Sequence, residues 1–415
     1  MSYDPDGQTW RDGNSVELLI NGEDFFEHVF DAIRQAHQEV LLETFIIFED
    51  RVGNALQQAV IEAARRGVRV IITVDDYGTC DLSSSFVAQM LEAGVQLQLF
   101  DPHPRFMGMR TNLFRRLHRK IVVVDARLAF IGGINYSVDH MSDAGISAKQ
   151  DYAVRVRGPI VADIYRSALD MLGPTLRDSF TPLSPVIEPA GDARMLMAWR
   201  DNEEHTTDIE EQYLLAMRGA RKRITIANAY FFPSYRFLRE LRSAAQRGVR
   251  VTLVLQGQPD MPKVRACTRM TYTWLLREGV VIHEYKQRAL HGKVALVDDE
   301  WVTVGSSNLD PLSLALNLEA NLFIRDRRLN QQLHDHLRDL AAVHSKQISL
   351  RGLARGQWWR APLIFLAFHF LRHFPAIAGL FPVHGMRLKP VRTPDVIPEA
   401  AVIERKLQQD QEKPI

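Results

Sequence analysis

Cysteine is almost missing from this chain. Two of its 415 residues, Cys80 and Cys267, carry a thiol. That is too few for a disulfide framework, so a reducing compartment is the simplest setting. A surplus of one charge is missing too: 51 Lys and Arg face 50 Asp and Glu, leaving +1. A protein built mainly to grip nucleic acid carries a basic surplus or stripe, so nucleic acid is not an expected partner. No window offers the roughly 20 uninterrupted apolar residues of a membrane-spanning helix. The first fifteen residues are polar and acidic-leaning, without the basic and apolar regions of a secretory signal. The chain is therefore expected to be made and kept in the cytoplasm.

What is present is a globular composition, 46% hydrophobic and 24% charged, which argues against a disordered or fibrous protein. At this length two lobes are the default expectation. The apolar pattern supplies them, because it runs through one order of elements twice. Over 24–35, Phe25, Val29, Phe30 and Ile33 share a helical face, with Asn21 placed as N-cap. A strand follows over 40–48, then a helix closing at Arg65-Arg66-Gly67, where glycine suits the C-terminal cap, then a strand over 68–74. The second half repeats this with a helix near 209–218, a strand over 224–229, a helix closing at Gln246-Arg247-Gly248, and a strand over 249–255. The echo Arg-Gly-Val-Arg-Val at 66–70 and 247–251 falls in the same slot of both halves, which marks an internal repeat.

Alternating strands and helices predict an α/β fold of two duplicated lobes. Each is expected to hold a mixed, largely parallel sheet, the two meeting at a pseudo-twofold axis. The expected boundaries are 1–190 and 191–350 for the lobes, 351–386 for an apolar, aromatic segment, and 387–415 for a disordered tail.

The repeat carries a motif. Leu117-His118-Arg119-Lys120 leads into Ile121–Val124, Asp125 and then Gly132-Gly133-Ile134-Asn135. Leu290-His291-Gly292-Lys293 leads into Val294–Val297, Asp298 and then Gly305-Ser306-Ser307-Asn308. Seventeen positions separate histidine from asparagine in both copies. A single His-x-Lys is usually surface polarity at a strand end; two with equal spacings in a duplicated chain are not coincidence.

On a strand, residues i and i+2 share a face, so each histidine lies beside its lysine. Two lobes meeting at a twofold would unite two imidazoles, two ammonium groups and two carboxamides in one site. That set suits a phosphodiester passing through a five-coordinate transition state. Lys120, Lys293, Asn135 and Asn308 would donate to its equatorial oxygens. One histidine, neutral, would attack phosphorus; the other, protonated, would give its proton to the leaving alkoxide. With an ordinary pKa of ~6.5, imidazole reaches both states near neutrality. Asp151 and Glu319 are the candidate carboxylates to fix the histidine tautomers, although each could simply open a strand. The motif aspartates, Asp125 and Asp298, complete the candidate catalytic set. Each, however, begins a turn at the far end of its strand from the histidine, where a turn-forming or salt-bridging role is the plainer one. No cofactor or metal is expected, because the lysines supply the positive charge. His369 and His373 have helical spacing but no acidic neighbour.

These motifs, with their Gly-Gly or Gly-Ser and Asn tails, resemble those of the phospholipase D superfamily over roughly residues 15–345. Further stretches resemble the bacterial cardiolipin synthases, in particular the B type that lacks N-terminal membrane helices. They are 106–120, Trp199–His205, Ala227–Pro233 and Gly305–Ser313. The resemblance implies two lobes around a phosphohistidine intermediate, with His118 as nucleophile and His291 as general acid. It implies transfer of a phosphatidyl group to phosphatidylglycerol, releasing glycerol. Phospholipase D-type hydrolysis or another phosphodiesterase activity is the alternative, and a catalytically silent lipid-binding scaffold is a third reading, disfavoured by the complete motifs.

The loop before the first motif carries Arg105, Arg110, Arg115, Arg116 and Arg119 among Phe106, Met107, Met109, Leu113 and Phe114. Arginines that take phosphates, beside apolar residues that enter a headgroup boundary, suggest a lipid surface; a solvated basic loop is the competing reading. The segment Trp358–Pro382 is dense in aromatic and apolar residues but broken by Arg372, His373 and three prolines. It is too interrupted to span and suits an interfacial anchor. The expected partners are phospholipids and a membrane surface, with peripheral attachment to the cytoplasmic side of the inner membrane.

Overall fold

A computed structural model describes residues 9–79, 81–102, 115–178, 180–258, 262–351 and 387–392, together with Leu366. Their main feature is one sixteen-stranded sheet whose order reads the same outward from its centre in both directions. In the first half the strands run Arg11–Ile20, Tyr152–Arg157, Leu128–Gly132, Ile121–Val124, Glu39–Thr44, Arg69–Asp75, Gln96–Phe100 and Leu388–Pro390. In the second they run Ala193–Arg200, Glu319–Arg325, Trp301–Gly305, Lys293–Val297, Arg223–Asn228, Arg250–Gln256, Val281–Tyr285 and Ser345–Gln347. The halves join where Arg11–Ile20 pairs antiparallel with Ala193–Arg200.

The duplication is thus visible strand by strand, but the expected largely parallel sheet is not. Within this sheet, parallel pairing among the described residues is confined to Glu39–Thr44 with Arg69–Asp75, Arg69–Asp75 with Gln96–Phe100, and the matching trio in the second half. Those are the strands joined by helical crossovers, which parallel neighbours require. The motif strands instead turn back on themselves: Ile121–Val124 forms a hairpin with Leu128–Gly132, and Lys293–Val297 with Trp301–Gly305. The tail is also corrected at its start. Residues 388–390 form an edge strand on Gln96–Phe100, so order extends past 387. Residues 393–415 lie outside the described residues.

The expected helices form close to their predicted places. The first spans Asn21–Arg34 and buries Phe25, Val29, Phe30 and Ile33. Asn21 is not its N-cap. It sits at a φ of 62°, a left-handed conformation asparagine tolerates, and its side chain is used elsewhere. The helices Arg51–Arg65 and Tyr235–Gln246 stop before Gly67 and Gly248, whose φ of 90° and 87° provide the turn into the next strand.

Among the described residues, three large apolar cores hold the layers. One packs the helices near the N-terminus against the first half of the sheet, through Phe25, Val60 and Phe130. A second does the same in the second half, through Tyr213, Phe237 and Phe323. A third draws on both halves at once, with Val154, Ile164, Val302 and Leu333 among its members. Burying each such side chain contributes roughly 1.5–3 kcal/mol. The shared core makes the two halves one cooperative body and sets the distance between their motif strands.

Candidate active site

Both motif histidines stand just ahead of their strands, where the chain crosses to the other half. His118 N–H donates to the carbonyl of Leu318 at 2.9 Å, and Leu318 N–H donates to Arg116 at 2.9 Å. On the other side, His291 N–H and Gly292 N–H both donate to Gln150, at 2.8 and 2.9 Å. Residues 149–150 and 289–290 form a two-stranded parallel ladder beside this contact. Leu318 and Gln150 are the residues that precede Glu319 and Asp151. The ladders therefore place each carboxylate opposite the histidine of the other half.

The side chains complete the exchange. Glu319 lies 3.0 Å from His118 Nδ1, and Asp151 lies 2.6 Å from His291 Nδ1. Both carboxylates are fully buried. Each fixes the proton on Nδ1 and leaves Nε2 of the imidazole as the nitrogen for chemistry. Lys293 Nζ also lies 2.9 Å from His291 Nδ1. An ammonium has no lone pair to offer, so that nitrogen's proton points to Asp151. Lys120 and Lys293 are buried, and each donates to the carbonyl of its own motif histidine. Among the described residues, the buried Oδ1 atoms of Asn135 and Asn308 have no hydrogen-bond partner. These are matched unfilled amide positions, one from each half.

Burial governs the charges. It lowers the His118 pKa, with Lys120 adding to the effect and Glu319 opposing it. It lowers His291 further, reinforced by Lys293, Lys149 and Lys120. Burial also brings Lys120 down to about 7, with Lys293 pushing the same way and Glu319 resisting. The two carboxylates diverge. Burial pushes Glu319 up, but His118, Lys120 and Ser306 outweigh it and hold it below the usual range. Burial raises Asp151, and Lys293 and His140 offset this only in part.

The motif aspartates do not join this site. Asp125 accepts the backbone N–H groups of His37, Gln38 and Glu39 at 2.8–2.9 Å. Asp298 accepts those of Arg221, Lys222 and Arg223 at 2.7–3.2 Å. Both have left-handed φ, 51° and 52°, which aspartate tolerates at a hairpin turn. Their acidity serves the entry to a neighbouring strand, so their listing with the catalytic groups is corrected to a structural role. Arg119 departs from expectation as well. It is buried and pairs with Glu43 at 2.9 Å. Arg115 and Arg116 are partly exposed, and the Arg116 guanidinium lies 3.6 Å over the Tyr77 ring. Arg105, Arg110 and, except for Arg351 and Leu366, the 351–386 segment fall outside the described residues. Among the described residues no helix is long and apolar enough to cross a membrane.

Several neighbours were not anticipated. Asn21 donates its N–H to the Asp151 carbonyl at 3.0 Å, and its side chain accepts from Asp151 N–H at 2.9 Å. Arg200 donates to the Asn317 carbonyl at 2.6 Å, which fastens the segment that delivers Glu319. The Phe45 ring lies 5.3 Å from the His118 ring. His140 is completely buried beside Asp151. Ligand atoms of His140, Asp151 and His291 lie within 4.8 Å of one another. A cation there would meet the Lys293 ammonium, and Asp151 already holds the His291 proton, so the group fits a hydrogen-bonded relay better than a metal ligand set. Periodicity could not reveal these contacts, because all but that of His140 with Asp151 join residues far apart in the chain.

The chain is similar to known proteins in sequence and in fold. Residues 29–172 and 213–341 match the family model described as cardiolipin synthase, PLD-like domain. The chain is 53% identical over 390 residues to cardiolipin synthase B of Escherichia coli K12, covering 93% of this chain and 94% of that protein. It is 33% identical over 344 residues to cardiolipin synthase A of Pseudomonas putida F1, covering 81% and 70%. Among solved structures, the phosphatidylserine synthase of Haemophilus influenzae Rd KW20 shares the fold. Its TM-score is 0.63 at 14% identity, covering 86% of this chain and 92% of that one. The two matched segments each hold one motif and one of the exchanged carboxylates, and on that footing the chain belongs to the PLD-like cardiolipin synthase family.

Proposed function

We propose that this chain forms cardiolipin by moving a phosphatidyl group between two phosphatidylglycerol molecules. The observation that carries the chemistry is the pair of imidazoles, His118 buried and His291 nearly so, each with Nδ1 committed to a buried carboxylate and each beside a buried lysine. The relatives' names supply the substrate class.

Following the family pattern, His118 Nε2 attacks phosphorus. A P–N bond forms, the P–O bond to glycerol breaks, and His291 gives its Nε2 proton to the departing glycerol oxygen. A hydroxyl of the second phosphatidylglycerol then gives its proton to His291 while its oxygen takes phosphorus from His118. Lys120, Lys293, Asn135 and Asn308 bind the charged oxygens in both steps. In this reading the protein works peripherally at the cytoplasmic face of the inner membrane, with Arg115 and Arg116 at the lipid surface. Reversing both charges lowers binding to anionic vesicles several-fold in a sedimentation assay; unchanged binding removes that part of the reading.

The deciding experiment is incubation with labelled phosphatidylglycerol in mixed micelles, with products separated by thin-layer chromatography. Cardiolipin and glycerol together, both lost in His118→Ala, support transfer. Phosphatidic acid without cardiolipin makes the enzyme a hydrolase.

A further inference from the structure

The two halves match strand for strand, yet one buried group at the active site has no counterpart. His140 ends the short helical turn Val138–His140, five residues after Asn135. The same step from Asn308 reaches Ser313, whose N–H donates to Asp310 at 3.2 Å. His140 is fully buried, as is Asp151. Its Nε2 accepts the backbone N–H of Asn135 at 3.3 Å. Since that nitrogen must present a lone pair, a neutral His140 carries its proton on Nδ1. Nδ1 faces Asp151 at 3.7 Å and has no hydrogen-bond partner among the described residues. The ring also meets that of His291 edge to face, with centroids 5.4 Å apart.

We propose that His140 is a positioning residue that ties the phosphate-binding Asn135 to Asp151 and so tunes His291 apart from His118. The inference rests on the reading of these residues as a phosphodiester-transfer site. A separation of 3.7 Å is longer than a hydrogen bond, and catalytic contacts of this kind tighten when substrate binds. Burial keeps His140 neutral. It can therefore donate a dipole to Asp151 without adding a charge to a pocket that already holds two lysines. Besides Asp151 and His291, the charged groups facing His140 are Lys149 and Lys293. Besides Asp151 and His140, those facing His291 are Lys293, Lys149, Lys120 and His118.

The sign of the effect follows. A donor on Asp151 spreads the carboxylate's charge and weakens its hold on the His291 proton. Removing the donor leaves Asp151 a stronger acceptor, which favours the imidazolium. The basic limb of the pH–rate profile, set by His291 as the proton donor, then moves to higher pH. The acidic limb, set by His118, stays in place.

Substitution separates the two contacts. In His140→Asn the amide nitrogen falls near the Nδ1 position and can still face Asp151. In His140→Gln the amide oxygen falls near Nε2 and can still accept from Asn135. His140→Ala loses both. The assay is turnover of labelled phosphatidylglycerol in mixed micelles from pH 5 to 10, with cardiolipin and phosphatidic acid counted together. The first chemical step is common to both products, so a protein that yields only phosphatidic acid refutes the transfer reading while leaving this comparison intact. Expected is a fall in kcat of about ten- to a hundred-fold in His140→Ala, with only the basic limb displaced upward. His140→Asn recovers that limb and His140→Gln does not. An unchanged profile in a folded His140→Ala protein overturns the proposal. So does a loss that follows the fall in thermal stability, leaves both limbs in place and is not relieved by asparagine.

Discussion

The two motif copies share a backbone and differ in what supports their carboxylates. Glu319 receives the hydroxyl of Ser306, at the position where the first half has Gly133. Asp151 takes the backbone N–H of Tyr152 at 2.8 Å and faces His140 instead. The glycine is required: a Cβ at Gly133 would lie 2.4 Å from Asp151 Oδ1. A shorter acid reaching its partner past a glycine thus replaces a longer acid held by a serine. Their acidities differ as well: His118, then Lys120 and Ser306, hold Glu319 below the usual range, whereas burial pushes Asp151 up. Symmetry of the chain has produced a pair of imidazoles that are equivalent in position and unequal in environment.

The largest effects separate the histidines. Both His118→Ala and His291→Ala should stop turnover of the natural lipid. With a 4-nitrophenyl diester, whose leaving group departs without a proton, the first-turnover release of nitrophenolate by His291→Ala should recover roughly 10²–10⁴-fold; His118→Ala should stay inactive. Recovery in the other variant would exchange the roles. Next come the carboxylates. Asp151→Asn and Glu319→Gln should each lower kcat by about 10²–10⁴, because the amide no longer fixes the tautomer. The crossed pairing makes a sharper demand. The activated diester should rescue Asp151→Asn, whose damage falls on His291, and not Glu319→Gln; the opposite pattern would mean that each carboxylate serves its own half.

Smaller effects test the supports. Gly133→Ala should cost about 1–3 kcal/mol of stability by crowding Asp151 and lower kcat about tenfold. Ser306→Gly should stay within tenfold, the loss of one hydrogen bond to a charged group. The smallest effect on activity belongs to Asp125→Asn and Asp298→Asn, each expected to cost about 1–2 kcal/mol in chemical denaturation with kcat unchanged. If either abolished turnover in a folded protein, the turn-holding assignment would be wrong.

Much of this was legible in the sequence for a physical reason. Equal spacings from His118 to Asn135 and from His291 to Asn308 record one hairpin used twice, and a hairpin is local. Asp151 and Glu319 could be picked out because an imidazole needs a carboxylate, but the crossed pairing depends on ladders between residues such as Gln150 and His291. Nothing in either half alone encodes that contact. The antiparallel motif strands were missed because helix–strand alternation elsewhere outweighed a tight turn at Asp125. Asparagine is favoured at helix caps, which points to Asn21 as one; in the fold its amide oxygen accepts from Asp151 N–H instead.

The crossed carboxylates have a consequence for how the chain tolerates change. A mutation of Glu319 is felt at His118 and one of Asp151 at His291, so damage written in one half is expressed in the other. Neither half can drift by itself, and neither would be complete if cut away and produced alone. Two inactive copies, one altered at Glu319 and one at Asp151, would still be deficient side by side unless they exchanged halves. Inheritance therefore acts on the chain as one indivisible unit, even though its architecture is a repeat.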